Sequence, residues 1–120
     1  MDSKSTFKEL KDKIKKFTAE RDWDQFHEGK DLAIGVSTEA AELLEHFRFK
    51  SPEEVRALFM DPIKKEEISF EMADTLFFLL RMAERYDIDL SSAFDKKMQR
   101  NEIRYPKDKS KGSNKKYNEL

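Results

Sequence analysis

No cysteine occurs in the chain, which excludes disulfides, thiolate nucleophiles and cysteine-based zinc sites. Glycine and proline are scarce, at three residues each, so few breaks interrupt the helical spacing of the apolar residues. Charge of one sign is also missing. The 24 basic and 25 acidic residues leave a formal net charge of −1, which argues against a dedicated binder of nucleic-acid polymers, whose affinity would rest on clustered Lys and Arg. No stretch reaches membrane-spanning length, and the opening MDSKSTFKELKDKIKK has no apolar signal-peptide core. The expectation is a cytoplasmic protein with no membrane partner. What is present is 120 residues, 41% of them charged and 38% hydrophobic, enough for one domain near the size where a partner subunit helps.

The spacing predicts an all-α chain. Phe7, Leu10, Ile14 and Phe17 form one apolar stripe on a Lys-rich first helix. A loop over 21–31 (RDWDQFHEGKD) precedes a second helix over about 31–49, with Leu32, Val36, Ala40, Leu43, Leu44 and Phe47 as its stripe. Ser51-Pro52-Glu53-Glu54 reads as a helix start, with Ser as N-cap, Pro at the first position and acids at the positive dipole end. Asp61-Pro62 repeats that signal for a long helix to about Tyr86, and a last helix covers roughly 90–104. Pro106 ends it. Residues 1–105 are expected to form the domain, and 106–120, with five Lys and two acids, a flexible tail.

Residues 70–78, FEMADTLFF, place Glu71 and Asp74 inside an apolar stretch, where an ionised carboxylate without a partner is costly. At a spacing of three they share a helix face, with Phe78 one turn on. The second helix repeats the pattern in STEAAELLEHF (37–47), where Glu39 and Glu42 flank its stripe around the small Ala40 and Ala41. Acidic pairs at this spacing also occur at Glu9/Asp12, Glu28/Asp31, Glu42/Glu45 and Glu84/Asp87, mostly as solvated faces. Spacing alone therefore leaves two readings open, a shared metal site across two antiparallel helices or surface acids. If four carboxylates converge, their repulsion raises their pKa values or recruits a cation, and all-oxygen ligation suits Mg²⁺, with Mn²⁺ the alternative. A di-iron bundle site needs Glu-x-x-His twice, and neither His27 nor His46 lies three residues after a Glu.

These motifs, with RDWDQFH (21–27), EAAELLEHFRFK (39–50) and KMQRNEIRYP (97–106), resemble the MazG-like all-α nucleoside triphosphate pyrophosphohydrolases, most nearly their dCTP pyrophosphatase branch, over nearly the whole chain. The resemblance implies Mg²⁺-dependent hydrolysis of a deoxynucleoside triphosphate, dCTP first and dATP or a modified dCTP next, to monophosphate and pyrophosphate. The role would be housecleaning of the nucleotide pool. It implies Glu39, Glu42, Glu71 and Asp74 as metal ligands and catalytic residues. Lys97, Arg100 and Arg104 become phosphate partners, Asn101 and Tyr105 nucleotide contacts, and Trp23, Phe26, His27, Phe49 and Phe78 the walls around the base. It also implies a homo-oligomer, a tetramer built from dimers. Phe49 and Phe78 stand where the family carries Trp and Tyr, so stacking is kept and a hydroxyl lost.

Spacing by itself favours plainer roles for several of these. Trp23 and Phe26 could cap the helical core, His27 could be structural, and Lys97, Arg100 and Arg104 could form a solvated stripe. Glu45, one turn beyond Glu42, fits a supporting ligand or a solvated acid. Two other function classes compete with the enzyme: a protein that sequesters a nucleotide–metal complex without turnover, and a helical interaction module whose Phe faces bind a protein.

Overall fold

In the computed structural model, which describes residues 1–120, the chain carries α-helices and no strand: α1 (Phe7–Glu20), α2 (Gly29–Glu45), α3 (Pro52–Met60), α4 (Pro62–Arg85), α5 (Leu90–Arg104) and α6 (Lys107–Ser110). Short 3₁₀ turns cover Asp24–Phe26 and Tyr117–Glu119. The all-α class expected from spacing is the class observed.

Side-chain caps set the helix starts. Thr6 Oγ1 accepts from the Glu9 amide at the head of α1. Ser51 and Glu54 form a reciprocal capping box on α3, with Pro52 at its first position, and the Ser51 amide, followed by the nearby Ser51 hydroxyl, holds the Glu54 carboxyl below the usual range. Asp61 Oδ1 accepts from the amides of Ile63 and Lys64 and starts α4. Each cap satisfies backbone donors that a helix end would otherwise leave without partners.

The second helix differs from expectation at both ends. It begins at Gly29, because the Glu28 amide donates to Asp31 Oδ2 and the Gly29 amide donates to Tyr86 Oη at 2.6 Å. It ends at Glu45, where the amides of His46 and Phe47 turn back to the carbonyls three residues earlier. Phe49 then takes a left-handed φ of 63°, which breaks the helical path before Ser51.

The chain divides into two units, Met1–Asp87 and Ile88–Leu120. In the first, α4 packs against α1, α2 and α3. Its buried apolar core is small: Ile14 from α1, Leu32 from α2, and Ile68, Leu80 and Ala83 from α4. Thr18 is also buried and donates its hydroxyl to the carbonyls of Ile14 and Lys15. The inward stripe of α2 runs through Leu32, Gly35, Val36, Glu39, Leu43 and His46, while Ala40 and Leu44 of the expected stripe face solvent. Glu39 takes the inward place expected of Ala40. Phe59 of α3 stacks its ring on Phe47, in the turn that follows α2, with centroids 5.8 Å apart.

In the second unit, residues beyond Pro106 fold back on the end of α5. The Tyr117 ring meets Tyr105 edge to face at 6.1 Å, and the Arg104 guanidinium lies 4.5 Å from the Tyr117 ring centroid, a cation–π contact.

Candidate metal centre

The close approach of α2 to α4 sets the geometry. At Gly35 an added Cβ would stand 2.5 Å from Phe78 Cδ1 and 2.7 Å from Phe78 Cγ, so the aromatic ring lies directly on the α2 backbone. Only glycine leaves that space. One turn further along α2 comes Glu39, and α4 presents Glu71 and Thr75 on the half-buried face that leads to Phe78.

At this crossing, one carboxylate oxygen each from Glu39, Glu42 and Glu71 lies within 4.8 Å of the other two. Glu39 Oε2 and Glu71 Oε2 are buried and accept no hydrogen bond. A buried acceptor left without a donor loses its hydration with nothing in return. Burial first, then the adjacent Glu42 carboxyl and the charges of Asp74 and Glu71, pushes Glu39 up to about 7. Glu71 is raised in the same way, by burial and then by Glu42 and Asp74, against a lowering influence from His46. His46 Nε2 lies 3.9 Å from Glu71 Oε1.

These observations fit a divalent cation. Three carboxylates converge, two of their oxygens have no donor, and a hard cation takes oxygen ligands and favours the ionised forms. Asp74 lies outside the triad: it is exposed, one turn along α4, and its charge contributes to the raised pKa of both Glu39 and Glu71. Glu45 turns away and pairs with Arg48 at 3.2 Å.

The loop between α1 and α2 holds Trp23, Phe26 and His27. Trp23 meets Phe17 edge to face at 5.5 Å, and Phe17 in turn meets Phe77 at 6.1 Å, so the indole joins a row of aromatic rings while staying partly exposed. Phe26 is exposed. The loop is fastened to the C-terminal part of α4 by polar contacts: Arg81 bonds His27 and Asp24, Arg85 donates to the carbonyls of His27 and Asp24, and Tyr86 receives the Gly29 amide. Phe49 is 91% exposed, with the Arg48 guanidinium 4.6 Å from its ring centroid. Phe78 is half-buried and meets Phe77 edge to face at 5.3 Å. Lys97, Arg100, Asn101, Arg104 and Tyr105 belong to the second unit, the first four on α5 and Tyr105 at its C-cap.

Sequence reasoning overlooked Arg81 and Gly35, and weighed His46 only as a di-iron ligand. Arg81 interrupts the apolar run LFFLLRMA, and an arginine there signals a buried partner as surely as the carboxylates do. Gly35 is an isolated glycine within a helical pattern, a mark of close approach. Glu84, read as half of a solvated pair, is instead largely buried and bonds Arg81 at 2.5 Å.

Comparison with known proteins agrees with this arrangement. The model of the MazG-like family matches residues 34–120. The chain is 38% identical over 104 residues to dCTP pyrophosphatase 1 of Rattus norvegicus, and that match spans 87% of this chain and 61% of the rat protein. It is 36% identical over 118 residues to dCTP pyrophosphatase 1 of Bos taurus, covering 98% of this chain and 70% of that protein. Its fold is similar to the crystal structure of a pyrophosphatase from Archaeoglobus fulgidus, with a TM-score of 0.77 and 36% identity over 82% of this chain and 91% of the other. Paired carboxylates on two closely crossing helices, a family match over most of the chain and a shared fold lead to one conclusion: the chain belongs to the MazG-like family.

Proposed function

We propose that the protein hydrolyses deoxynucleoside triphosphates between the α and β phosphates, releasing the monophosphate and pyrophosphate, with dCTP the favoured substrate. The observation that carries this reading is the triad of Glu39, Glu42 and Glu71 with its two buried, donor-free oxygens. Similarity to two proteins named dCTP pyrophosphatase 1 supports the substrate class.

Glu39, Glu42 and Glu71, with Asp74 beside them, would hold Mg²⁺, or Mn²⁺ in its place. The bound cation supplies neutralisation of the triphosphate and orientation of water for in-line attack on phosphorus. The chain's own residues do the rest. Paired helices fix the carboxylates before substrate arrives, so little ordering is left for the reaction. Trp23, Phe26, His27, Phe49 and Phe78 are proposed as the base-binding side chains. On the sequence motif alone, Lys97, Arg100 and Arg104 are assigned to phosphate charge, and Asn101 and Tyr105 to the nucleotide.

The same reading takes the active form to be a homo-oligomer in the cytoplasm, a tetramer made of dimers. Exposed Met72 and Leu79, with Leu43 and Leu76, line an open groove of about 660 Å³, an apolar surface of the kind subunits cover. A monomeric mass by light scattering would refute that part.

Chromatographic product analysis tests the whole. Purified protein with Mg²⁺ should convert dCTP to dCMP and pyrophosphate faster than dATP, dGTP, dTTP or CTP, and EDTA or Glu71→Gln should abolish the products. Mg²⁺-dependent nucleotide binding without product would overturn catalysis in favour of sequestration.

A further inference from the structure

Arg81 is 1% exposed, on the face of α4 that meets the α1–α2 loop. Its Nε donates to His27 Nδ1 at 2.9 Å, one terminal nitrogen bonds Asp24 and the other bonds Glu84. Two carboxylates thus offset the burial of one guanidinium, as a charge removed from water requires. The third bond has a further consequence. A guanidinium does not lose its proton in a protein, so Arg81 Nε is always a donor here. His27 Nδ1 must therefore be an acceptor and carry no hydrogen. The proton of the neutral ring sits on Nε2, and protonation at Nδ1 would set one N–H against another.

Resting on the proposed nucleotide substrate, we propose that Arg81 is a positioning residue that locks His27 as the neutral Nε2–H tautomer, so that the imidazole offers a single fixed hydrogen-bond donor to an acceptor oxygen of the nucleotide. His27 then acts in binding and takes no part as a general acid or base. The charged groups around it agree: burial and then Arg81 lower its pKa, Arg85 lowers it further, and Asp24 and Asp31 oppose them. Asp24, Arg85 and Tyr86 keep the loop seated, so the donor's position is fixed along with its tautomer.

The chain contains only two histidines, so its ¹⁵N-labelled imidazole spectrum is simple, and His27→Gln assigns the signals. The wild-type protein at neutral pH, without metal or nucleotide, should show His27 with a protonated Nε2 and an unprotonated Nδ1. Arg81→Met should replace that pattern with exchange-averaged tautomers and raise KM for Mg²⁺–dCTP roughly tenfold, the loss of about one hydrogen bond. The larger part of the fall in kcat/KM should lie in KM. Arg81→Lys keeps the charge but not the planar fork, and should show the same two changes should the Met variant fail to fold. A wild-type ring protonated at Nδ1, or averaged between tautomers, overturns the proposal. So does an unchanged KM in a folded Arg81 variant. If the wild-type spectrum is as expected but no triphosphate is hydrolysed, the proposed function falls while the imidazole assignment stands.

Discussion

Replacing Gly35 by alanine isolates the contact that sets the distance between α2 and α4. In an exposed helix the change would stabilise, because alanine is favoured over glycine by about 1 kcal/mol. Here the new Cβ would lie 2.5, 2.6 and 2.7 Å from three atoms of the Phe78 ring, where ordinary contact begins at 3.4 Å. The ring must yield by about 0.9 Å, and Phe77 stands against it at 5.3 Å. Overpacking of this sort costs typically about 1–3 kcal/mol. Subtracting the propensity gain leaves a net loss of up to about 2 kcal/mol, which for a chain of this length lowers Tm by up to roughly 8 °C. Thermal melting followed by circular dichroism reads it directly. Phe78→Leu in the same chain should recover most of the loss, giving a coupling energy that neither single change predicts. Glu39 lies one turn from Gly35, so Gly35→Ala should also weaken Mg²⁺ binding in calorimetry. A Tm raised in Gly35→Ala, as for an ordinary helical glycine, would refute the close approach.

Other perturbations give equally definite signs. In the metal-free protein the raised pKa of Glu39, about 7, means that the folded state holds a proton that the unfolded chain releases near 4.5. That contribution is complete below pH 4.5 and is lost as pH rises through 7, so the urea midpoint should fall between pH 5 and 8, and Glu39→Gln should flatten the fall; an equal slope in the variant would count against the cluster. Asp61→Ala removes the acceptor for the Ile63 and Lys64 amides and should lower stability by about 1 kcal/mol, seen as an earlier melt with the folded spectrum unchanged.

Much of the architecture was written in local chemistry. The Ser51-Pro52 and Asp61-Pro62 starts appear as read, because caps and N1 prolines act within four residues. The last helix falls at Leu90–Arg104 as expected. Where the reading slipped, the deciding contact came from far along the chain. Gly29 heads α2 because Tyr86 receives its amide across 57 positions, which no window around residue 29 contains. The Glu39/Glu42 and Glu71/Asp74 spacing located the acidic crossing, yet the triad excludes Asp74, since membership turns on helix rotation that spacing leaves open. Glu84 became a partner of buried Arg81 rather than part of a solvated face. Counting charges could not separate the two outcomes, because that depends on what packs over the helix.

The bonds that seat the α1–α2 loop have a bearing on the order of folding. His27, Asp24 and Gly29 take their partners from residues 81–86, at separations of 54 to 61 positions. A chain made from its N-terminus exposes Trp23, Phe26 and His27 for the whole time that α2, α3 and most of α4 are being synthesised. Loop closure over such distances comes late in assembly. The aromatic loop is thus among the first parts of the unit to leave the ribosome and among the last to be fixed, and its shape reports that α4 has docked to its end.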